Sequence, residues 1–247
     1  MKLTGIVAAF IDVPAEHTRA YNTWYDFEYM PEYAALPGFL GGRRYVATPE
    51  CKATRPANVM PELAGGKGTY LTLYLMSAED PPKAIEGFHA LSASLRQQRR
   101  LFRHGAVAER GFYRLDRAVA RKGNPLSAQA IPLAGHRGVH AVLTRVPDAA
   151  AREAVNNWWA EVHAQDLTSV PGVLAALRFT RFDPPGDGRY LNLYLLDGDP
   201  AAVAAEIGRR SPTWRAQGRG SPGGASQPVF GSPYLRIVPG EYDFRIE

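Results

Sequence analysis

The sequence predicts an α+β fold in which two tandem copies of one unit pack their sheets together. The segment Asn22–Arg44 returns as Asn156–Arg178, with Asn, Trp, Pro-Gly, Leu and Arg at matching positions. The strand-like run Tyr70–Leu75 returns as Tyr190–Leu195 with a single difference. Two copies of about 110 residues favour a pseudo-dimer, because solenoid arrays have shorter repeats and need at least about three of them.

The first copy alternates strand-like and helix-like patterns. The apolar run over 5–13, which is rich in β-branched residues and ends at Pro14, is typical of a strand. A helix is predicted over 14–33, because Tyr21, Trp24 and Tyr25 begin a face at helical spacing. Further strands are predicted over 40–47, 70–76 and 111–115, and a second helix over 81–103. The loop over 48–69 is rich in Pro and Gly, and loops of that length are often functional lids.

The second copy follows a segment, 116–137, that shows little periodicity and carries two prolines. We therefore divide the chain into a first unit over 1–115, a linker over 116–137 and a second unit over 138–247. In the second unit, strands are predicted over 138–146, 174–182, 189–196 and 233–238, and helices over 148–168 and 199–217. The Gly/Pro-rich stretch over 218–233 is flexible by composition and long enough to fold over a pocket.

The order strand-helix-strand-strand-helix-strand in each copy is that of a ferredoxin-like unit. Such a unit covers one face of its sheet with two helices and leaves the other face bare. We expect the two copies to cover each other's bare faces, which gives an intramolecular α+β barrel pseudo-dimer with four helices outside.

Composition excludes several classes of protein. The net charge of +5 comes from scattered arginines with no nucleic-acid-binding motif around them, which argues against a nucleic-acid partner. The lone Cys51 excludes an internal disulfide, and no HxH or HExxH spacing indicates a metal site. The apolar run near Met1 is too short for a signal peptide or a membrane span. These features predict a cytoplasmic protein without a membrane partner.

The run Trp24–Pro31, Trp-Tyr-Asp-x-Glu-x-x-Pro, with Leu36–Leu40 behind it, resembles the first-helix signature of the dimeric α+β barrel superfamily, in particular its EthD-like branch. The second copy is similar over Asn157–His163 and Val170–Gly172, and His163 takes the place of the branch's histidine. The resemblance spans both copies but not the linker or the two long loops. It implies a hydrophobic cavity between sheet and helices, used for cofactor-independent chemistry on aromatic or polyketide-like molecules. It also implies that haem is an alternative, because some relatives bind it.

Two histidines of the second copy are candidate proton carriers. His163 lies on the helix face that we assign to the interior, and an unperturbed imidazole has a pKa of about 6.5. His140 interrupts an apolar strand, so it must be hydrogen-bonded or line a wet cavity. The alternative for both is a purely structural histidine whose hydrogen bonds are satisfied within the protein.

The third strand of each copy carries polar or aromatic residues on one face. Tyr190 and Asn192 are the further catalytic candidates, because a phenol can polarise a carbonyl and an amide can hold an oxyanion. Paired aromatic residues on a strand also pack cores, and arginines matched between copies also brace a barrel. The residues predicted to bind substrate are Tyr194, Arg178, Trp159, Tyr29 and Tyr74.

The copies differ most at the candidate site. The second copy has His140, His163 and Asn192 where the first has Val7, Tyr29 and Thr72. We therefore predict one principal site, in the second copy, for a cofactor-independent lyase, isomerase or cyclase acting on a small aromatic or polyketide-like molecule. The alternatives are a haem-dependent enzyme or monooxygenase, and a non-catalytic binding protein for hydrophobic molecules. Either a monomeric pseudo-dimer or a homodimer agrees with the sequence.

Overall fold

The computed structural model describes residues 2–56 and 60–247. Within them, eight antiparallel strands close into one barrel, which confirms the predicted α+β fold. The strands are β1 (Gly5–Asp12), β2 (Phe39–Val46), β3 (Tyr70–Met76), β4 (Ala106–Ala120), β5 (Gly138–Arg145), β6 (Val173–Asp183), β7 (Arg189–Leu196) and β8 (Gln227–Arg236). Their order around the barrel is β1-β3-β2-β8-β5-β7-β6-β4, and β4 pairs again with β1.

The two groups of four strands are joined at both edges, and do not lie as two separate stacked sheets. β4 pairs with β6 from Phe112 to Ala120, whereas β2 pairs with β8 only at Tyr45 and Val46. Edge pairing satisfies backbone groups that two free edges would leave exposed. The barrel is therefore one continuous sheet with one interior.

The helices pack outside the barrel. They are α1 (Thr18–Trp24), α2 (Met30–Ala34), α3 (Pro49–Ala53), α4 (Pro81–Gln97), α5 (Arg152–Trp158), α6 (Ala164–Thr168) and α7 (Pro200–Ala216). The two long helices, α4 and α7, each begin with an aspartate N-cap followed by proline. The Asp80 carboxylate accepts from the Lys83 amide, and the Asp199 carboxylate accepts from the Ala202 amide at 2.9 Å. None of the described helices is both long and apolar enough to cross a bilayer.

Strand alternation separates the barrel interior from the helix-facing surface. The leucines of β3 and β7, such as Leu73 and Leu193, belong to the interior cluster. The tyrosines of the same strands face outward, where Tyr74 packs against the first-half helices and Tyr194 against the second-half helices. The polar and aromatic faces therefore line the space between sheet and helices.

Two strands are longer than the sequence pattern predicted. β4 runs five residues into the predicted linker, because its far end pairs with β6 and ends with Ala120 opposite Ala175. β8 begins at Gln227, inside the predicted loop, and contains Pro228 and Pro233. Proline is tolerated there because most of β8 pairs with β5 alone, which leaves its other edge without a ladder. The predicted loop over 48–69 contains α3 and includes residues 57–59, which lie outside the described residues.

Candidate functional site

A cavity of about 300 Å³ lies between the outer face of β5, β6 and β7 and the helices of the second half. It brings together most of the residues that the sequence predicted for the site. These are His140, Trp159, His163, Arg178, Asn192 and Tyr194. The remaining walls are largely apolar and include Trp158, Leu167, Ile207 and Trp214. A concave apolar site with a few convergent polar groups is the usual form of a small-molecule site.

A π-helical turn, Trp159–His163, connects α5 to α6 and positions the histidine. The Nε2 atom of His163 lies 3.0 Å from the Tyr194 hydroxyl, in hydrogen-bond contact. The Trp158 ring stacks on the imidazole with 5.1 Å between ring centroids. An equivalent π turn, Tyr25–Tyr29, occupies the matching place in the first half. Single π turns within α-helices occur frequently at functional sites.

Both histidines of the cavity are neutral at pH 7. Burial, together with the nearby Arg178 cation, lowers the pKa of His163 to about 4. Burial also lowers the pKa of His140 to about 4. The His140 ring stacks on Tyr194 at 5.9 Å, and its Nδ1 atom has no hydrogen-bond partner among the described residues. Neutral imidazoles can accept a proton or ligate a metal ion.

Arg178 is fully buried in the floor of the cavity. Its Nε donates to Asn156 Oδ1 at 2.8 Å and its Nη1 to Asn192 Oδ1 at 2.9 Å. Its Nη2 has no hydrogen-bond partner among the described residues. Burial lowers the pKa of this guanidinium to about 10, which leaves it charged at pH 7. The cavity therefore contains a cation with one unused donor.

The two catalytic candidates on β7, Tyr190 and Asn192, contact Arg178 and are not free to contact a substrate. Tyr190 lies beneath the guanidinium, with 3.9 Å from Arg178 Cζ to the ring centroid, and does not line the cavity. The Asn192 amide donates to the Val142 carbonyl and to the Thr144 hydroxyl while it accepts from Arg178. Asn192 is therefore a positioning residue, because its hydrogen-bonding groups already have partners.

The first half contains the same arginine in a different electrostatic environment. Arg44 donates to Asn22 Oδ1 at 2.6 Å, as Arg178 does to Asn156, but it also pairs with the buried Asp26 carboxylate at 2.7 Å. Ala160 takes the place of Asp26 in the second half. Among the described residues, no carboxylate pairs with Arg178. Arg178 therefore lacks a paired carboxylate like the one on Arg44, although the Asp116 carboxylate acts on it at longer range.

Two predicted substrate-binding residues do not join the His163 cavity. Tyr74 and Tyr29 lie in the first half, where Tyr74 bonds to the Tyr25 hydroxyl at 2.8 Å and Tyr29 donates to Tyr33 at 3.1 Å. Each helix packs on the sheet of its own half, so matching positions of the two copies face separate cavities. The structure therefore places both tyrosines outside the His163 cavity, and their role in binding a substrate stays a prediction.

The loop after α7 covers the cavity through contacts that sequence patterns did not indicate. Arg219 binds Asp166 of α6 with two nitrogens, at 2.6 Å and 2.9 Å, and its carbonyl accepts from the Trp158 indole at 3.0 Å. The Gly/Pro composition predicted a covering loop. It did not identify this ion pair, which joins residues far apart in sequence.

The buried histidines predict that acid destabilises the fold. Their folded pKa of about 4 lies below the ordinary value of about 6.5. Stability is therefore fully present above pH 6.5 and is lost as the pH falls towards 4, because the unfolded chain binds protons first. The expected slope is about 1.4 kcal/mol per pH unit for each histidine. Urea unfolding at pH 7 and pH 5 should show a smaller loss for His140→Gln than for the wild type. Equal losses would contradict the assignment.

Comparison with known proteins finds solved structures with a similar fold. No family model and no curated protein match the sequence. An anthrone oxidase-like protein matches with a TM-score of 0.58 at 11% identity, over 98% of this chain and 95% of its own. A variant of DypB from Rhodococcus jostii, in complex with haem, matches with 0.55 at 11% identity, over 95% and 93%. A dye-decolorizing peroxidase from Bacteroides thetaiotaomicron matches with 0.53 at 10% identity, over 96% and 93%.

At these identities the likeness shows the fold alone. It also corrects the cofactor prediction. A cofactor-free site was expected, whereas a neighbour with this fold holds haem. None of the three structures is named as a lyase, isomerase or cyclase, so the predicted reaction class is unsupported. The haem-dependent alternative agrees better with these neighbours.

Proposed function

We propose that the protein is a haem-dependent oxidoreductase that oxidises a small aromatic molecule in the second-half cavity. The observation that carries this proposal is the asymmetry between the halves. Only the second half combines a buried neutral histidine, His163, with a buried arginine, Arg178, that has no carboxylate partner among the described residues. A histidine binds a metal ion through its neutral imidazole, as His163 could. A fixed hydrogen-bond donor such as Arg178 stabilises the negative charge that develops on an oxygen atom during oxidation.

The donor set of the cavity fits haem. The described residues contain no cluster of three or more side chains that could hold a bare metal ion. A haem iron needs only one protein ligand, and His163 could provide it. The macrocycle is flat and apolar, and it would pack against the apolar side chains of the cavity wall, Trp158, Leu167 and Ile207. Its carboxylates would find Arg215 and Arg219, which line the same cavity. His163 would exchange its Tyr194 contact for the iron.

When bound, haem supplies electron transfer between an oxidant and an organic donor. The chain's own residues would supply charge and protons. The unused Nη2 of Arg178 would stabilise a negatively charged oxygen, and Asn156 and Asn192 hold that guanidinium in place. His140 would accept a proton at its unpartnered Nδ1 atom, since burial keeps the ring neutral.

The overall reaction that we propose is the oxidation of a phenol by hydrogen peroxide. Two phenols each lose one electron and one proton, and one peroxide takes up both electrons and both protons to become two water molecules. The name of the anthrone oxidase-like neighbour supports an aromatic donor of this kind.

Turnover of the haemin-loaded protein tests the proposal. Oxidation of a simple phenol such as guaiacol should require haemin, peroxide and protein together, and Val142→Phe, which fills the cavity, should remove it. Haemin binding without turnover would indicate a binding protein. Equal turnover by Val142→Phe would place the reaction outside this cavity.

The Arg219–Asp166 ion pair is expected to limit entry to the cavity. Asp166→Asn should raise the rate constant for haemin association about tenfold or less, because rim charges act mainly on association. Stopped-flow absorbance measures this rate constant. Glu206→Gln is the matched control, since Glu206 pairs with Arg210 of α7 outside the cavity. A rate change of equal size in both variants would contradict a gating role for the loop.

We also propose that the chain arose by duplication of an EthD-like unit, with the division near residues 115 and 138 as predicted. Three matched features support this. Both halves have the strand order 4-1-3-2, both have a π turn at the same position, and both have an arginine bonded to an asparagine, Arg44 to Asn22 and Arg178 to Asn156.

A further inference from the structure

A second, smaller cavity lies in the first half, between the outer face of β1 and the α1 helix with its π turn. Its volume is about 160 Å³. The walls are mostly aromatic and are formed by Tyr21, Trp24, Tyr25, Tyr29, Tyr74 and Phe102. Trp24 and Tyr29 lie 4.6 Å apart between ring centroids. This cavity has no place in the function proposed for the second half.

The mouth of this cavity is positively charged. Arg110 lines it, and among the described residues no carboxylate pairs with this guanidinium. The positive charge of Arg110 also acts on the Tyr29 hydroxyl, where it opposes the rise in pKa that burial causes. An open depression next to the mouth is lined by Arg99, Arg103 and His104, with Glu28 as its acidic member. The local excess of cations favours an anion.

We propose that this cavity binds a single-ring aromatic carboxylate, with the ring between the aromatic walls and the carboxylate at Arg110. The volume selects the size, because a cavity of about 150 Å³ with apolar walls holds one benzene molecule. The walls select an aromatic ring through edge-to-face and stacked contacts. Arg110 selects the anion, and its planar guanidinium matches a carboxylate.

Calorimetric titration with benzoate tests this site. The titration is made in the Val142→Phe protein, in which the second-half cavity is filled, so that its result is independent of the function proposed above. Benzoate should bind with one site per chain, and neutral benzamide about tenfold more weakly, since a charge-assisted hydrogen bond is lost. Adding Arg110→Gln should weaken benzoate binding about tenfold. Adding Arg117→Gln, which removes the same charge from the same strand away from the cavity, should leave it unchanged.

A second variant keeps the test decisive if Val142→Phe fails to fold. Ala9 occupies the first-half position that matches Val142 and lines the aromatic cavity. Ala9→Phe should lower the benzoate stoichiometry of the otherwise native protein by one site. Unchanged stoichiometry in Ala9→Phe, or equal affinity for benzoate and benzamide, would overturn the proposal.

Discussion

Replacing His163 by alanine is expected to weaken haemin binding by more than about 100-fold, because it removes the residue that would hold the iron, and loss of a supporting group near a metal already costs about 10- to 100-fold. His163 is the candidate ligand because the π turn directs its Nε2 atom to the Tyr194 hydroxyl in the cavity. Absorbance titration measures the affinity. Circular dichroism before titration verifies that the variant is folded.

His140→Ala is the matched control for this experiment, since His140 is equally neutral and lines the same cavity. We expect its haemin affinity to stay within about tenfold of the wild type, while turnover falls because a proton acceptor is missing. The reverse pattern, with binding lost in His140→Ala and kept in His163→Ala, would contradict the assigned roles.

The two matched arginines are expected to respond differently to the same substitution. Arg44→Met should lower the free energy of unfolding by about 3–5 kcal/mol, because it leaves the Asp26 carboxylate buried without a cation. Arg178→Met should lower it by only about 1–3 kcal/mol, because two asparagine oxygens lose a donor and no carboxylate loses its cation. Urea unfolding monitored by circular dichroism gives both values.

This comparison tests the inference that Arg178 is a free anion site. If Arg178→Met destabilises the protein as much as Arg44→Met does, the second arginine has a structural anion partner, and its proposed role with substrate is excluded.

Most of the fold was predicted from the residues that repeat between the two copies. The alternation of Leu and Tyr in Tyr70–Leu75 and Tyr190–Leu195 predicted paired strands, and the unit order predicted the helices outside the sheet. Alternation could not decide which face lines a pocket, because both faces of these strands are buried. The extensions of β4 and β8 were not predicted because they contain exposed residues and prolines, which are not typical of strands. Such residues are tolerated there because these strands pair on one side over much of their length.

The site was predicted in part for equally physical reasons. His140 was predicted because a polar residue in an apolar strand needs a partner or a cavity, and His163 because it lies on the interior face of its helix. Arg178 was predicted because it matches Arg44, and Tyr194 because it shares a strand face with Asn192. The π turns have no sequence signature that we could use, since they change only the hydrogen-bond spacing of a helix. The difference between Asp26 and Ala160 was visible in the aligned copies. Its meaning appeared only once the structure placed Asp26 against Arg44.

The pairing of Asp166 with Arg219 was out of reach of sequence patterns. It depends on where the loop after α7 crosses the cavity, which is a property of the folded chain. Tyr29 and Tyr74 lie apart from His163 for a related reason. Matching positions in a repeat share chemistry, but each position belongs to the cavity of its own half.

The central claim is that the second-half cavity holds haem. Titration of the purified protein with haemin, followed by absorbance in the Soret region, tests it most directly. We predict a shifted Soret band that saturates at one equivalent of haemin per chain and does not form in Val142→Phe. A band that rises without saturation, or one that forms equally in Val142→Phe, would contradict the claim.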